Sequence, residues 1–108
     1  MSEAEEIIMV YITAPSEEEA LKIGDILVEE RLAACVNVIP GIKSIYRWEG
    51  KIVHDSESVM ILKTMKSNFQ KISSRVKELH SYTCPCILSY PSDNGYQEYT
   101  KWVSDETL

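Results

Sequence analysis

Basic residues are scarce in this sequence: 11 Lys and Arg stand against 17 Asp and Glu, a formal net charge of −6. Proteins that bind nucleic acid ordinarily carry a basic stripe, so this balance opposes a phosphate-backbone partner. Cysteine is sparse and odd in number, three in 108 residues. That is too few for a disulfide framework and fits a reducing compartment, where thiols stay free or bind metal. Apolar runs such as Ile7 to Ile12 and Val59 to Leu62 fall far short of the ~20 residues that span a bilayer, so no membrane helix is expected. The opening MSEAEE is acidic where a secretory signal needs a basic and then an apolar stretch, and it lacks the Arg-rich look of a transit peptide. The cytoplasm is the expected compartment. Glycine-rich phosphate loops, strand-turn nucleophile motifs and paired-acid motifs are missing as well. With two histidines and no clear triad, the chain is not expected to be an enzyme.

What is present is ordinary globular composition, 44% hydrophobic and 26% charged, in a chain near the usual domain length of ~100–150 residues. One domain over residues 1–108 is expected, with residues 1–6 a flexible start. Ile7 to Thr13 is a β-branched run closed by Ala14-Pro15, the pattern of a buried strand. Ser16 followed three residues later by Glu19 is a capping-box pattern, and Glu17, Glu18 and Glu19 suit the first turn of a helix. Ala20, Ile23, Gly24, Leu27 and Val28 repeat at helical spacing up to about Arg31.

Cys35 to Trp48 reads as a strand interrupted by Pro40-Gly41, a bulge or bend. Ile42, Ser44, Tyr46 and Trp48 fall on one face, with Lys43, Ile45 and Arg47 on the other. Glu49-Gly50 then turns the chain into Lys51 to Thr64, completing a long hairpin. Ser67 opens a second helix, with Phe69, Ile72, Val76 and Leu79 in step, and His80 closes it. Cys86 to Tyr90 reads as a short strand, and Tyr96 to Val103 as a short helix with Tyr96, Tyr99 and Val103 aligned. The order β-α-β-β-α-β plus a terminal helix predicts an α+β, ferredoxin-like sandwich with both main helices on one sheet face.

The hairpin strands exceed ten residues each, against a usual ~5–6, so two helices cannot cover them. Ile42, Ile45, Tyr46, Trp48, Ile52 and Val53 would leave an apolar, aromatic surface open in a monomer. A cyclic homo-oligomer covers such a surface economically.

The segment HSYTCPC, residues 80 to 86, gathers a histidine and two cysteines. In an extended strand residues two apart point to one side, so Cys84 and Cys86 with His80 form a candidate soft-metal set. The plainer reading, which the sequence favours, is packing: the spacing is not that of zinc knuckles, Pro85 stiffens the link, and free cysteine is among the most buried residue types. His80 alone also suits a helix C-terminus. A disulfide between residues two apart around a proline is strained and ranks last. His54, beside Asp55, reads as a solvent-facing strand residue.

Three stretches together resemble one family: ERLAACVNVIPGIKSIYRWEGKI from Glu30 to Ile52, ILKT from Ile61 to Thr64, and the frame of His80, Tyr82 and Pro85. They resemble the CutA divalent-cation tolerance family, from about Ile7 to Val103. The resemblance implies a tight homotrimer of ferredoxin-like subunits, similar to PII-type signalling proteins, with hairpins locking the subunits. It implies a link to tolerance of copper and other divalent cations, copper binding proposed for some members, and no catalytic activity. The family pattern after the histidine has a proline and later a glutamate; here Ser81 and Cys86 take those places. A soft thiol replacing a hard carboxylate puts any role carried by that glutamate in doubt. Fold kinship does not transfer nucleotide binding. Cys35 matches a family cysteine and reads as packing at its strand start. Tyr46, Trp48, Tyr82, Tyr99 and Trp102, with Cys35 and Lys63, are the candidate interface or cleft residues, and Glu98 on the last helix is a further one. Large rings at an interface are usually packing anchors. The alternative reading is a PII-like trimeric sensor or scaffold that binds a small molecule or protein at clefts between subunits.

Overall fold

The computed structural model describes residues 6–108. Residues 1–5 of the expected flexible start lie outside the described residues, whereas Glu6 is tied to the sheet, its carbonyl accepting the Lys66 N–H at 2.7 Å. The elements are β1 (Ile7–Ala14), α1 (Glu17–Glu29), β2 (Cys35–Trp48), β3 (Lys51–Met65), a 3-10 turn (Lys66–Asn68), α2 (Phe69–Leu79), β4 (Ile87–Pro91) and α3 (Gln97–Glu106). The sheet is antiparallel in the order β2-β3-β1-β4, the ferredoxin-like arrangement that the element order predicts.

Alternation along β1 decides the layers. Ile8, Val10, Ile12 and Ala14 are buried and pack with Ala20, Ile23 and Leu27 of α1, Ile72 and Val76 of α2, and Met60 and Leu62 of β3. Each Ile, Leu, Val or Met among them contributes about 1.5–3 kcal/mol when fully removed from water. Val28, expected in the α1 stripe, is instead 42% exposed, because the stripe is narrower than its spacing suggests. Ser16 caps α1 by accepting the Glu19 N–H at 3.1 Å. The Glu19 carboxylate itself reaches away, accepting from Ser81 N–H and Oγ, each at 3.0 Å.

Small differences from the expected boundaries have local causes. The chain turns once as a 3-10 helix after Met65, so α2 begins at Phe69 with Asn68 at its cap rather than at Ser67. β4 begins at Ile87, one residue late, and α3 runs on to Glu106. There the Arg31 guanidinium donates to the carbonyls of Asp105 and Glu106 at 2.8 and 3.3 Å. A cation on the last carbonyls satisfies orphan acceptors and the negative helix end. Of the aligned trio Tyr96, Tyr99 and Val103, only Val103 is buried.

Pro40-Gly41 breaks the β2–β3 register: Ile39 pairs with Val59, but Ile42 pairs with Glu57. Two residues of β2 therefore oppose Ser58 alone, a bulge with Gly41 at φ +75°. β2 is an edge strand, so Pro40 leaves no ladder donor missing inside the sheet. The hairpin closes at Glu49 and Gly50, both at positive φ (49° and 77°), the backbone of a type I′ turn.

Candidate functional site

α1 and α2 cover one sheet face. On the other, a cleft of about 540 Å³ lies between the hairpin and the α2–β4 loop, lined by Thr13, Ser44, Tyr46, Trp48, Glu57, Tyr82, Thr83, Cys84 and Cys86. β2 supplies the first aromatic wall, Tyr46 and Trp48, and the loop supplies Tyr82. Glu57, 8% exposed, is the carboxylate of the cleft and accepts the Tyr82 hydroxyl proton at 2.7 Å. The Tyr46 hydroxyl donates to Asp55 at 3.2 Å.

His80 holds the loop in place. Its Nε2 lies 2.7 Å from the Thr13 carbonyl, which can only accept, so Nε2 carries the proton. Its Nδ1 accepts the Tyr82 N–H at 3.0 Å, with the Glu19 carboxylate 3.5 Å away. The ring is fully buried as a side chain and stacks obliquely on Tyr82, centroids 4.8 Å apart. Both nitrogens are spent on the backbone, leaving no lone pair for an ion. Ser81, standing where the family pattern has proline, adds two bonds to Glu19, one of them from an N–H that proline lacks.

The cysteines are free thiols: Cys84 exposed, Cys35 and Cys86 half-buried. Cys84 and Cys86 both line the cleft, yet both precede β4, so the strand geometry expected to align their sulfurs does not apply. Burial and then the Glu57 charge push the Cys86 thiol up, against a hydrogen bond with Thr13. Burial, the Glu57 hydrogen bond and the Glu57 charge hold the Tyr82 phenol well above its usual range. Desolvation and neighbouring Asp55 also raise Tyr46. Among the described residues no three His, Cys, Asp or Glu side chains gather as a metal set.

The remaining candidates form a second group. Cys35 and Lys63 are paired across β2 and β3, with the Lys63 ammonium 3.9 Å from the Cys35 sulfur and donating to Asn37 Oδ1. Burial and then Cys35 raise the Tyr99 phenol, and Tyr99 stacks with Trp102 at 5.6 Å. This group lies on the same open face but under α3, away from the His80 loop, so Cys35 does not reach the cleft. His54, opposite Ile45, is exposed. Sequence reasoning passed over Glu57. Its signal was parity: Glu57, Val59, Ile61 and Lys63 share one face of β3, and Glu57 is the acid at the end of that row.

A four-stranded sheet with α1 and α2 on one face and a largely open, aromatic second face defines a ferredoxin-like α+β subunit. The family model described as CutA1 divalent ion tolerance protein matches residues 8–106, and the chain belongs to this family. It is 50% identical to the divalent-cation tolerance protein CutA of Thermus thermophilus over 99 residues, 92% of this chain and 96% of that protein. It is also 50% identical to the protein of the same name from Archaeoglobus fulgidus, across 92% of this chain and 95% of that one. The solved structure of the Thermus thermophilus protein superposes with a TM-score of 0.92 at 49% identity, covering 94% of this chain and 99% of that one. The family is named for tolerance to divalent ions, not for a reaction.

Replacing His80 with Ala strands the Thr13 carbonyl and the Tyr82 N–H and leaves a void. A loss of about 2–4 kcal/mol is expected, read as a lower denaturation midpoint at fixed protein concentration, while Cys84→Ser stays within about 0.5 kcal/mol. Alkylation at about pH 8, followed by peptide mass mapping, should modify Cys84 before Cys86, because the thiolate is the nucleophile. Glu57→Gln removes the charge that raises Cys86 and should speed its modification; an unchanged rate would show that the carboxylate does not act on the thiol.

Proposed function

We propose that this chain acts as a non-enzymatic homotrimer in the cellular response to divalent cations, with the open sheet face as its assembly surface. The observation that carries this reading is the extent of that surface. Ile39, Leu88 and Tyr90 are 47%, 53% and 50% exposed on that face, and the hairpin adds Tyr46 and Trp48 at 39% and 50%, while Ile45 and Ile52 stand exposed on the hairpin's opposite side. Open rows of this kind, with two unpaired sheet edges, are normally covered by further copies. The cytoplasm is the compartment proposed, supported by three thiols that remain unpaired.

Copper enters this reading only as a weak contact with the cleft thiols. The described residues of one chain do not fit a resident ion: His80 is committed at both nitrogens and one Glu57 oxygen is already engaged by Tyr82. The cleft favours a second element of function, a sensor or scaffold in the manner of PII-like trimers, in which a small molecule occupies the aromatic cavity. Its size lies within the ~300–1,000 Å³ typical of small-molecule sites.

Native mass measurement at micromolar concentration should give three chains, and Leu88→Asp or Trp48→Asp should shift the mass downward. A concentration-independent monomer would sink the assembly reading. Anaerobic Cu(I) titration of the reduced protein should show uptake that falls in Cys84→Ser and Cys86→Ser and survives His80→Asn. Uptake that instead requires His80 would overturn the thiol assignment.

A further inference from the structure

The charge and shape of the cleft say more than that it is a cavity. Its lining holds one charged side chain, Glu57, together with the rings of Tyr46, Trp48 and Tyr82. No Lys or Arg is among the lining residues. Lys77, the nearest cation along the loop, donates to the Thr83 carbonyl, Lys43 bonds Ser56 on the opposite hairpin face, and Lys51, opposite Trp48, stays outside the lining. Among the described residues Glu57 is bonded through Tyr82 and forms no ion pair. A buried carboxylate without a cationic partner is costly unless charge is later supplied. The three acids around it, Tyr46, Tyr82 and Cys86, are all pushed toward their neutral forms, with carboxylate charge contributing in each case. A negative field walled by aromatic faces attracts a positive guest, since ring quadrupoles present negative charge to a cation.

We propose that this cleft binds a small organic cation, its ammonium group seated toward Glu57 and its carbon body against Tyr46, Trp48 and Tyr82. The inference rests on the cleft-ligand reading above and names its ligand class. An anion is opposed by Glu57 and lacks any basic partner. A resident metal ion needs several converging donors, and no such set is present among the described residues. A quaternary ammonium ion needs none, because its diffuse charge is satisfied by aromatic faces and one carboxylate. The mixed lining also fits: Thr13, Ser44 and Thr83 bring hydroxyls, and Cys86, kept protonated, adds a polarisable surface without a second negative charge.

The test uses choline as the probe and 3,3-dimethylbutan-1-ol, its uncharged isostere, as the control, titrated calorimetrically into the full chain. Choline should bind saturably and the isostere about tenfold or more weakly, the difference expected of a cation–π and carboxylate contact. Glu57→Gln and Trp48→Leu should each weaken choline about tenfold at unchanged native mass, while Lys22→Ala, on the exposed side of α1, leaves binding unchanged. Equal binding of probe and isostere, absence of saturable binding, or indifference to both Glu57→Gln and Trp48→Leu would each overturn the assignment. The same samples are weighed by native mass. A trimer that ignores choline overturns the ligand class and leaves the assembly intact; a monomer that binds it with the stated charge preference supports the ligand class and overturns the assembly.

Discussion

His80 is the joint on which the open side of this subunit depends. Its imidazole bridges a β1 carbonyl and a loop N–H, Thr13 to Tyr82, and so converts the end of α2 into a fixed platform. Two neutral hydrogen bonds contribute only about 1 kcal/mol each in net terms, but breaking either leaves a buried backbone group unsatisfied, which costs more. The platform therefore has one position. Glu19 reinforces it from α1 through Ser81, and Tyr82, thus held, lies where its hydroxyl meets Glu57. The histidine that is one member of the candidate metal set in the sequence is, in the fold, the residue that holds Tyr82 in place.

A second constraint comes from the bulge. Before it, Cys35, Asn37 and Ile39 share the open face; strict alternation would continue that row with Gly41, Lys43, Ile45 and Arg47. One extra residue on β2 reverses the parity, so Ile42, Ser44, Tyr46 and Trp48 join Val59 and Glu57 instead. The aromatic wall exists because Pro40-Gly41 inserts that residue. Were the same residues paired in regular alternation with no bulge, Lys43 and Arg47 would take the open face in place of the aromatic wall.

Much of this fold is legible in one sequence because its signals are local. The Ser16 cap, the Glu49-Gly50 turn, the Pro40-Gly41 interruption and the two alternating rows of the hairpin each state their own geometry. The cleft is less legible because it is made by contacts distant in sequence. The His80–Thr13 bond joins the end of α2 to β1, and the Tyr82–Glu57 bond joins a loop to β3. A seven-residue window containing His, Cys and Cys shows donors at short spacing, but the backbone around Pro85 is not yet a strand, so spacing does not become direction. Cys35, Lys63, Tyr99 and Trp102 form a group of their own. Its separation from Tyr46, Trp48 and Tyr82 depends on where α3 lands, which Arg31 fixes from the far end of α1.

The departure at residue 86 then acquires a physical sense. Two carboxylates in one half-buried cleft repel, and one of them would be driven toward its neutral form. With Cys in place of the family's glutamate, Glu57 is the sole charged side chain of the lining, and the thiol beside it is held protonated by burial and by that same charge. A metal-binding sulfur must lose its proton and Glu57 opposes that loss, which is why the copper contact proposed for the cleft thiols is a weak one. The substitution leaves a polarisable wall next to a single negative charge, the combination that suits the organic cation proposed for the cleft.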